Sequence, residues 1–249
     1  MRSSMFLFIL CVSIQRLFAA EPVVGPAKGS LVIVGGGRVS RVITEEFVRL
    51  VGDLDQSVVT IPTAGEDEDW GDDYLARCYP RRAGFKNVTV LHTRDPNIAD
   101  TDDFVAPLLN AKAVWLDGGR QWRLADSYLG TRTERELHAL LARGGVIAGS
   151  SAGATIQGSY LVRGAPAGNT VMMSPGHEVG FGFLRQCAID QHVIARNRHI
   201  DLYPVVMRFP HLLAFGIDES TALVVQGDEA RVIGLSGVLV HNGNELPDD

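Results

Sequence analysis

Two short runs, residues 31–34 (Leu-Val-Ile-Val) and 146–148 (Val-Ile-Ala), are apolar at odd and even positions alike, so a strand built from either must be covered on both faces. Only a sheet held between two layers of helix meets that demand. Further β-branched runs at 57–61, 87–92 and 113–116 alternate with amphipathic stretches that predict helices over 42–51, near 72–79, near 102–109 and over 132–143. This rhythm predicts an α/β chain folded as a three-layer α/β/α sandwich with a mainly parallel sheet, completed by two or three strands from Ala214 onward. With 46% apolar residues, 21% charged residues and only 11 Pro in 249 residues, the chain can bury a core of that size, and wholesale disorder is excluded.

Residues 1–20 differ from the rest. Arg2 precedes an apolar run from Met5 to Ile14, and Ala19-Ala20 stand just before Glu21, which predicts a signal peptide. The run is about half the roughly 20 residues a spanning helix needs, and Arg16 interrupts it. The expectation is therefore a signal peptide over 1–20, a linker over 21–28 and one domain over 29–249, secreted or periplasmic and free of membrane after cleavage. Removing Arg2 and Arg16 takes two positive charges from a formal net charge of −6 and leaves −8. Negative charge of this size opposes binding to phosphate backbones, so nucleic acid is not an expected partner. The three cysteines, Cys11, Cys78 and Cys187, form no Cys-x-x-Cys pair, which argues against a disulfide scaffold or a zinc site; whether Cys78 and Cys187 pair is left open.

Gly35-Gly36-Gly37 follows the first predicted strand, but Ser40 stands where a dinucleotide fingerprint needs its third glycine. No cofactor is expected; the turn reads instead as backbone passing close to substrate or to a neighbouring loop. Asp190, His192 and His199 lack the spacing of a metalloenzyme motif, and no metal is expected either.

The most informative segment is Gly149-Ser150-Ser151-Ala152-Gly153, entered from a buried strand and leaving into a predicted helix through Gln157. This is the setting of a nucleophile elbow, in which the glycines permit a tight turn and the serine hydroxyl is lifted clear of the sheet. The first helical N–H, that of Ala152, then lies beside the attacked carbonyl. A serine at its ordinary pKa needs a base, and a histidine so used needs an acid to fix its tautomer. Of seven histidines, His192 stands out because it follows Asp190-Gln191 and precedes Arg196 and Arg198, cations suited to carboxylate recognition. Asp218 and Glu219, at a predicted strand end, are the acids that could orient it.

Four motifs now stand in order: Asp117-Gly-Gly-Arg-Gln121, Gly149-Ser-Ser-Ala-Gly-Ala154, Asp190-Gln-His192 with Arg196 and Arg198, and Gly216-Ile-Asp-Glu-Ser-Thr-Ala-Leu223. Together they resemble the cyanophycinase and aspartyl dipeptidase (dipeptidase E) family of serine peptidases, from about Gly29 to the end of the chain. The resemblance implies a flavodoxin-like fold akin to class I glutamine amidotransferases. It maps the nucleophile onto Ser151, the base onto His192 and the orienting acid onto Glu219. It also implies oxyanion donors at Ala152 and Gly119, and a substrate pocket lined by Gln121, Asp190, Gln191, Arg196 and Arg198. The implied substrate is a small peptide or a cyanophycin-like polymer, cut at aspartyl or isoaspartyl (β-Asp-Arg type) bonds through an acyl-enzyme. Cyanophycin-cleaving members carry a further arginine soon after these two, where this chain has His199-Ile200-Asp201. A homodimer is compatible with the resemblance.

Two other readings stand beside it. An α/β-hydrolase-type esterase also uses Gly-x-Ser-x-Gly, with the acid before the histidine, and Glu178 or Asp190 followed by His211 fills that order. A secreted, non-catalytic binding protein on the same fold is the other.

Overall fold

The structure is a computed structural model that describes residues 24–66 and 70–243. The expected signal peptide and the start of the linker lie outside the described residues.

Along the chain, β1 (Ser30–Val34) leads through α1 (Arg41–Val51) to β2 (Ser57–Ile61), and α2 (Asp72–Arg77) and α3 (Tyr79–Arg82) precede β3 (Asn87–Val90). Next come α4 (Pro96–Ala99), α5 (Asp102–Leu109), β4 (Ala113–Leu116), α6 (Gln121–Tyr128), α7 (Arg132–Ala142) and β5 (Val146–Ser150). The single turn α8 (Ala152–Thr155) is followed by β6 (Gly158–Tyr160), β7 (Leu184–Gln191), α9 (Tyr203–Arg208), β8 (Leu213–Ile217), β9 (Thr221–Gln226), β10 (Glu229–Gly234) and β11 (Val238–Asn242).

Seven strands form the central sheet in the order β10-β9-β1-β5-β4-β2-β3, parallel from β1 to β3, with β9 and β10 running antiparallel at one edge. Its two faces feed separate cores. Leu31, Ile33, Val114 and Ile147 pack on one side, and Val32, Val34, Trp115 and Ala148 on the other, all essentially free of solvent contact. Each Val, Leu or Ile among these contributes on the order of 1.5–3 kcal/mol by leaving water, which is why the doubly apolar runs became inner strands of the sheet.

A second, four-stranded sheet, β11-β8-β7-β6, was not expected from the sequence. Among the described residues, the region from Ala214 onward holds four strands rather than two or three, divided between the two sheets. The helix expected through Gln157 ends at Thr155, because the chain must turn to lay β6 beside β7: a Cβ at Gly158 would lie 2.9 Å from the Cys187 carbonyl oxygen. Cys78 and Cys187 are both buried and unpaired, and burial pushes the Cys187 thiol up to about 12.

Both sheets deliver their strand ends to one place. The loops after β1, β4 and β5 leave the carboxyl edge of parallel strands, where open α/β sheets carry their sites. In the second sheet β7 and β8 are parallel and pair Gln191 with Ile217, so His192 and the Asp218-Glu219 pair leave that sheet together. β9 then crosses to pair with β1.

Candidate active site

Ser151 sits between β5 and α8 with φ 55° and ψ −111°, a conformation that costs a non-glycine residue on the order of 1–3 kcal/mol. The neighbouring glycines account for the tightness of the turn. A Cβ on Gly149 would lie 2.3 Å from the Gly153 carbonyl oxygen, and one on Gly153 would lie 2.1 Å from that of Leu116. The turn is pinned by the Ser151 N–H donating to Val34 O at 3.0 Å and by Ala154 and Thr155 donating to the Ser151 carbonyl at 3.0 Å.

From this turn the Ser151 hydroxyl reaches Nε2 of His192 at 2.9 Å, and Nδ1 of His192 lies 2.6 Å from Oε1 of Glu219. An ionised carboxylate only accepts, so Nδ1 carries the proton, Nε2 is the lone-pair nitrogen, and the serine hydroxyl donates to it. Burial pushes the His192 imidazole below its ordinary 6.5; the bond to Glu219 acts the other way, and the charges of Arg196 and Arg198 lower it further. The ring is therefore neutral, as a base must be, near neutral pH.

Asp218 and Glu219 point in different directions, and only Glu219 meets the histidine. Asp218 turns away from the histidine: its Oδ1 accepts from the N–H groups of Ile194 and Ala195 at 3.0 and 2.9 Å, and its Oδ2 from the Ser236 hydroxyl at 2.7 Å. It fastens the turn that carries Arg196 and Arg198. Gly36 and Gly37 let the β1 loop lie against the histidine and the glutamate. A Cβ on Gly36 would sit 2.1 Å from the His192 ring, and one on Gly37 2.8 Å from Oε2 of Glu219. Both glycines have positive φ, 116° and 66°, so the close backbone approach expected of this triplet is present and is directed at the histidine and its acid.

On the other side of Ser151, Gly118 packs so that a Cβ there would be 3.3 Å from the serine Cβ. Its loop is braced by Asp117, which accepts from Tyr74 Oη at 2.5 Å and from Trp115 Nε1 at 2.8 Å. Among the described residues, neither the Gly119 nor the Ala152 N–H donates to a protein acceptor. One adjoins Ser151 in sequence, and the other adjoins Gly118, which packs on that serine.

The residues expected to line a pocket divide into two groups. Gln191, Arg196 and Arg198 adjoin His192 in one segment, and Asn197, in the left-handed region at φ 55°, breaks any helix between the two arginines. Arg196 is exposed; Arg198 is half-buried and donates to the Gln191 carbonyl at 3.2 Å. Gln121 and Asp190, by contrast, are buried and turned to protein partners. Gln121 donates through Nε2 to the Val162 carbonyl at 2.9 Å, and both Asp190 oxygens are held by Arg163. These two therefore brace the wall of the site. Arg163 was not anticipated. It also pairs with Asp201 and donates to the Asn169 carbonyl at 2.6 Å, and its own φ of 56° marks a constrained position. The residue that could have revealed it is Asp190, an acid at the end of a run that otherwise reads as a buried strand.

The acid-before-histidine order of an esterase is not assembled. Glu178 accepts from Tyr160 Oη at 2.7 Å, Asp190 is taken by Arg163, and among the described residues neither is paired with His211.

A family model described as peptidase family S51 matches residues 31–233. The cyanophycinase of Geminocystis herdmanii is 28% identical over 230 residues, covering 88% of this chain and 82% of that protein. The cyanophycinase of a Nostoc species is 28% identical over 226 residues, covering 88% and 75%. Among solved structures, that of a peptidase from an acI-B1 Actinobacterium superposes with a TM-score of 0.68 at 25% identity, covering 89% of this chain and 93% of that one.

Proposed function

Because the chain belongs to peptidase family S51 and is a serine-type hydrolase, we propose that it cuts aspartyl or isoaspartyl (β-Asp-Arg type) peptide bonds through an acyl-enzyme on Ser151. The observation that carries this reading is the unbroken chain from Ser151 Oγ through His192 to Glu219, at 2.9 and 2.6 Å. His192 Nε2 takes the serine proton as Oγ attacks the carbonyl carbon. The tetrahedral oxyanion is met by the N–H groups of Ala152 and Gly119. Glu219 stabilises the imidazolium, which passes its proton to the leaving amine as the C–N bond breaks. Water then repeats the sequence on the ester, releasing the acid product and restoring Ser151.

Two features support an acidic substrate. Arg196 and Arg198 stand beside the base, and the curated relatives are named as cyanophycinases. The carboxylates whose charge reaches Arg198, Asp190 and Asp201, are both paired with Arg163, so Asp201 is offset by a protein cation rather than opposing an acidic ligand. Export of the chain by its N-terminal segment belongs to the same reading, and appearance of the mature protein outside the cytoplasm after expression in a secreting host tests it.

The test of the chemistry is labelling with a fluorophosphonate probe, alongside turnover of aspartyl dipeptides, isoaspartyl dipeptides, cyanophycin and short esters. The expected result is a single adduct on Ser151 and hydrolysis of Asp-containing peptides but not of the esters. Ester turnover without peptide turnover would refute the substrate class. A protein that neither labels nor turns over any substrate would refute the catalytic reading.

A further inference from the structure

A cavity of about 440 Å³ opens between the β1 loop and α3, lined by Gly37, Arg38, Thr44, Tyr79 and Arg82. Its size falls in the range of roughly 300–1,000 Å³ typical of small-ligand sites. Its position ties it to the catalytic groups from two directions. Gly37, in its wall, lies against Oε2 of Glu219, the acid that holds His192. Arg82, on the opposite wall, is in electrostatic reach of Asp117, next to the Gly118 that packs on Ser151.

Two cations with no fixed partner face this space. Among the described residues, neither the Arg38 nor the Arg82 side chain forms a hydrogen bond or an ion pair, in contrast to Arg163. The polar groups beneath them are already satisfied, Tyr79 Oη donating to Thr44 Oγ1 at 3.0 Å and Thr44 Oγ1 donating to the Ser40 carbonyl at 3.2 Å. The unmatched character of the cavity is thus positive charge carried by two guanidinium groups, which suit a carboxylate. Two nearby acids, Glu219 and Asp117, have partners of their own in His192 and in Tyr74 and Trp115.

We propose that this cavity receives the free α-carboxylate of the residue on the leaving side of the scissile bond, held by Arg38 and Arg82. The side follows from the chemistry: the leaving amine takes its proton from His192, so the departing residue lies toward the histidine and its acid, where the β1 loop packs. A short peptide is thereby measured at its C-terminus, distinct from any acidic group read by Arg196 and Arg198. This inference rests on the peptidase reading above.

The experiment compares the dipeptide Asp-Leu with its C-terminal amide on wild type, Arg38→Gln, Arg82→Gln and the double variant. Both arginines are exposed, so neither change threatens the fold. Wild type is expected to favour the free acid about a hundredfold in kcat/KM, each single change to cut that ratio about tenfold, and the double change to bring it near one. A wild-type ratio of one, or a ratio that survives the double change, overturns the proposal. If wild type cleaves neither peptide, the substrate reading fails separately. The cavity is then judged by calorimetry on Ser151→Ala with and without Arg38→Gln: preference for the free acid that disappears with Arg38 supports it, and equal affinity or no binding of either peptide overturns it.

Discussion

Arg163 holds both oxygens of Asp190, Nε to Oδ1 at 2.7 Å and Nη2 to Oδ2 at 2.9 Å, with the two side chains 2% and 0% exposed. One buried cation thereby fixes the end of β7 two residues before His192, and through Asp201 it also fixes the far end of the segment that carries Arg196 and Arg198. Removing one member of a buried pair leaves the other charge without compensation, which costs about 3–5 kcal/mol, whereas an apolar pair of similar volume is often tolerated. Arg163→Met should therefore lower unfolding stability in urea by about that amount, and adding Asp190→Leu should restore a large part of it. A loss under about 1 kcal/mol for the single change would show that the pair is dispensable.

The two adjacent acids at the end of β8 should separate cleanly by kinetics. Glu219→Gln can no longer hold the Nδ1–H tautomer of His192, and kcat is expected to fall by about 10⁴ with little change in KM. Asp218→Asn weakens the acceptor for Ile194 and Ala195, so its effect should fall on KM through the arginine-bearing turn. A larger kcat loss at Asp218 than at Glu219 would reverse the assignment.

The acid limb of the pH profile follows from the burial of His192. Desolvation disfavours the imidazolium, Glu219 partly restores it, and Arg196 and Arg198 oppose it. The base must be neutral to accept the serine proton, so the acid limb of kcat/KM should be centred below pH 6.5, the ordinary imidazole value. Arg198→Gln removes one cation near the ring, so the limb should move to higher pH, and added salt should shrink that shift. A wild-type limb centred above pH 7 would contradict the order of these influences.

The inner strands of the central sheet were legible because covering both faces imposes an apolar pattern that little else produces. Ser151, His192 and Glu219 were named through the four motifs and the resemblance they carry, whereas the residues alone left both Asp218 and Glu219 open as the acid, because the direction of each was not legible. That direction depends on the β7–β8 register, which pairs Gln191 with Ile217 and involves residues 26 apart in sequence. The second sheet escaped notice for a related reason. β7 follows its buried first residue, Leu184, with exposed Arg185 and Gln186 and ends in the polar pair Asp190-Gln191, buried only because Arg163 arrives from elsewhere. Helix α6 was missed because its buried face includes Gln121 and Ser127, polar side chains satisfied by carbonyl acceptors at Val162 and Arg123.

Recognition of acidic substrates should be unequal between Arg196 and Arg198. Two residues one apart cannot share a helix face, yet both influence the charge of His192, because Asn197 takes the left-handed conformation between them. Arg198 is half-buried, and its contact with the Gln191 carbonyl fixes where its guanidinium points. A guanidinium already held in place loses less freedom on meeting a carboxylate than the exposed Arg196, so it should be the stronger of the two. A charge-assisted contact contributes about 1.5–3 kcal/mol, which corresponds to roughly tenfold to a hundredfold in kcat/KM. Each arginine is replaced by Gln, and kcat/KM on an Asp-containing dipeptide is compared with that on its Asn analogue. Arg198→Gln should remove discrimination in that range, and Arg196→Gln should remove less than tenfold, more so at low salt than at high. Discrimination that survives both replacements would mean that the acidic side chain of the substrate is read elsewhere in the site.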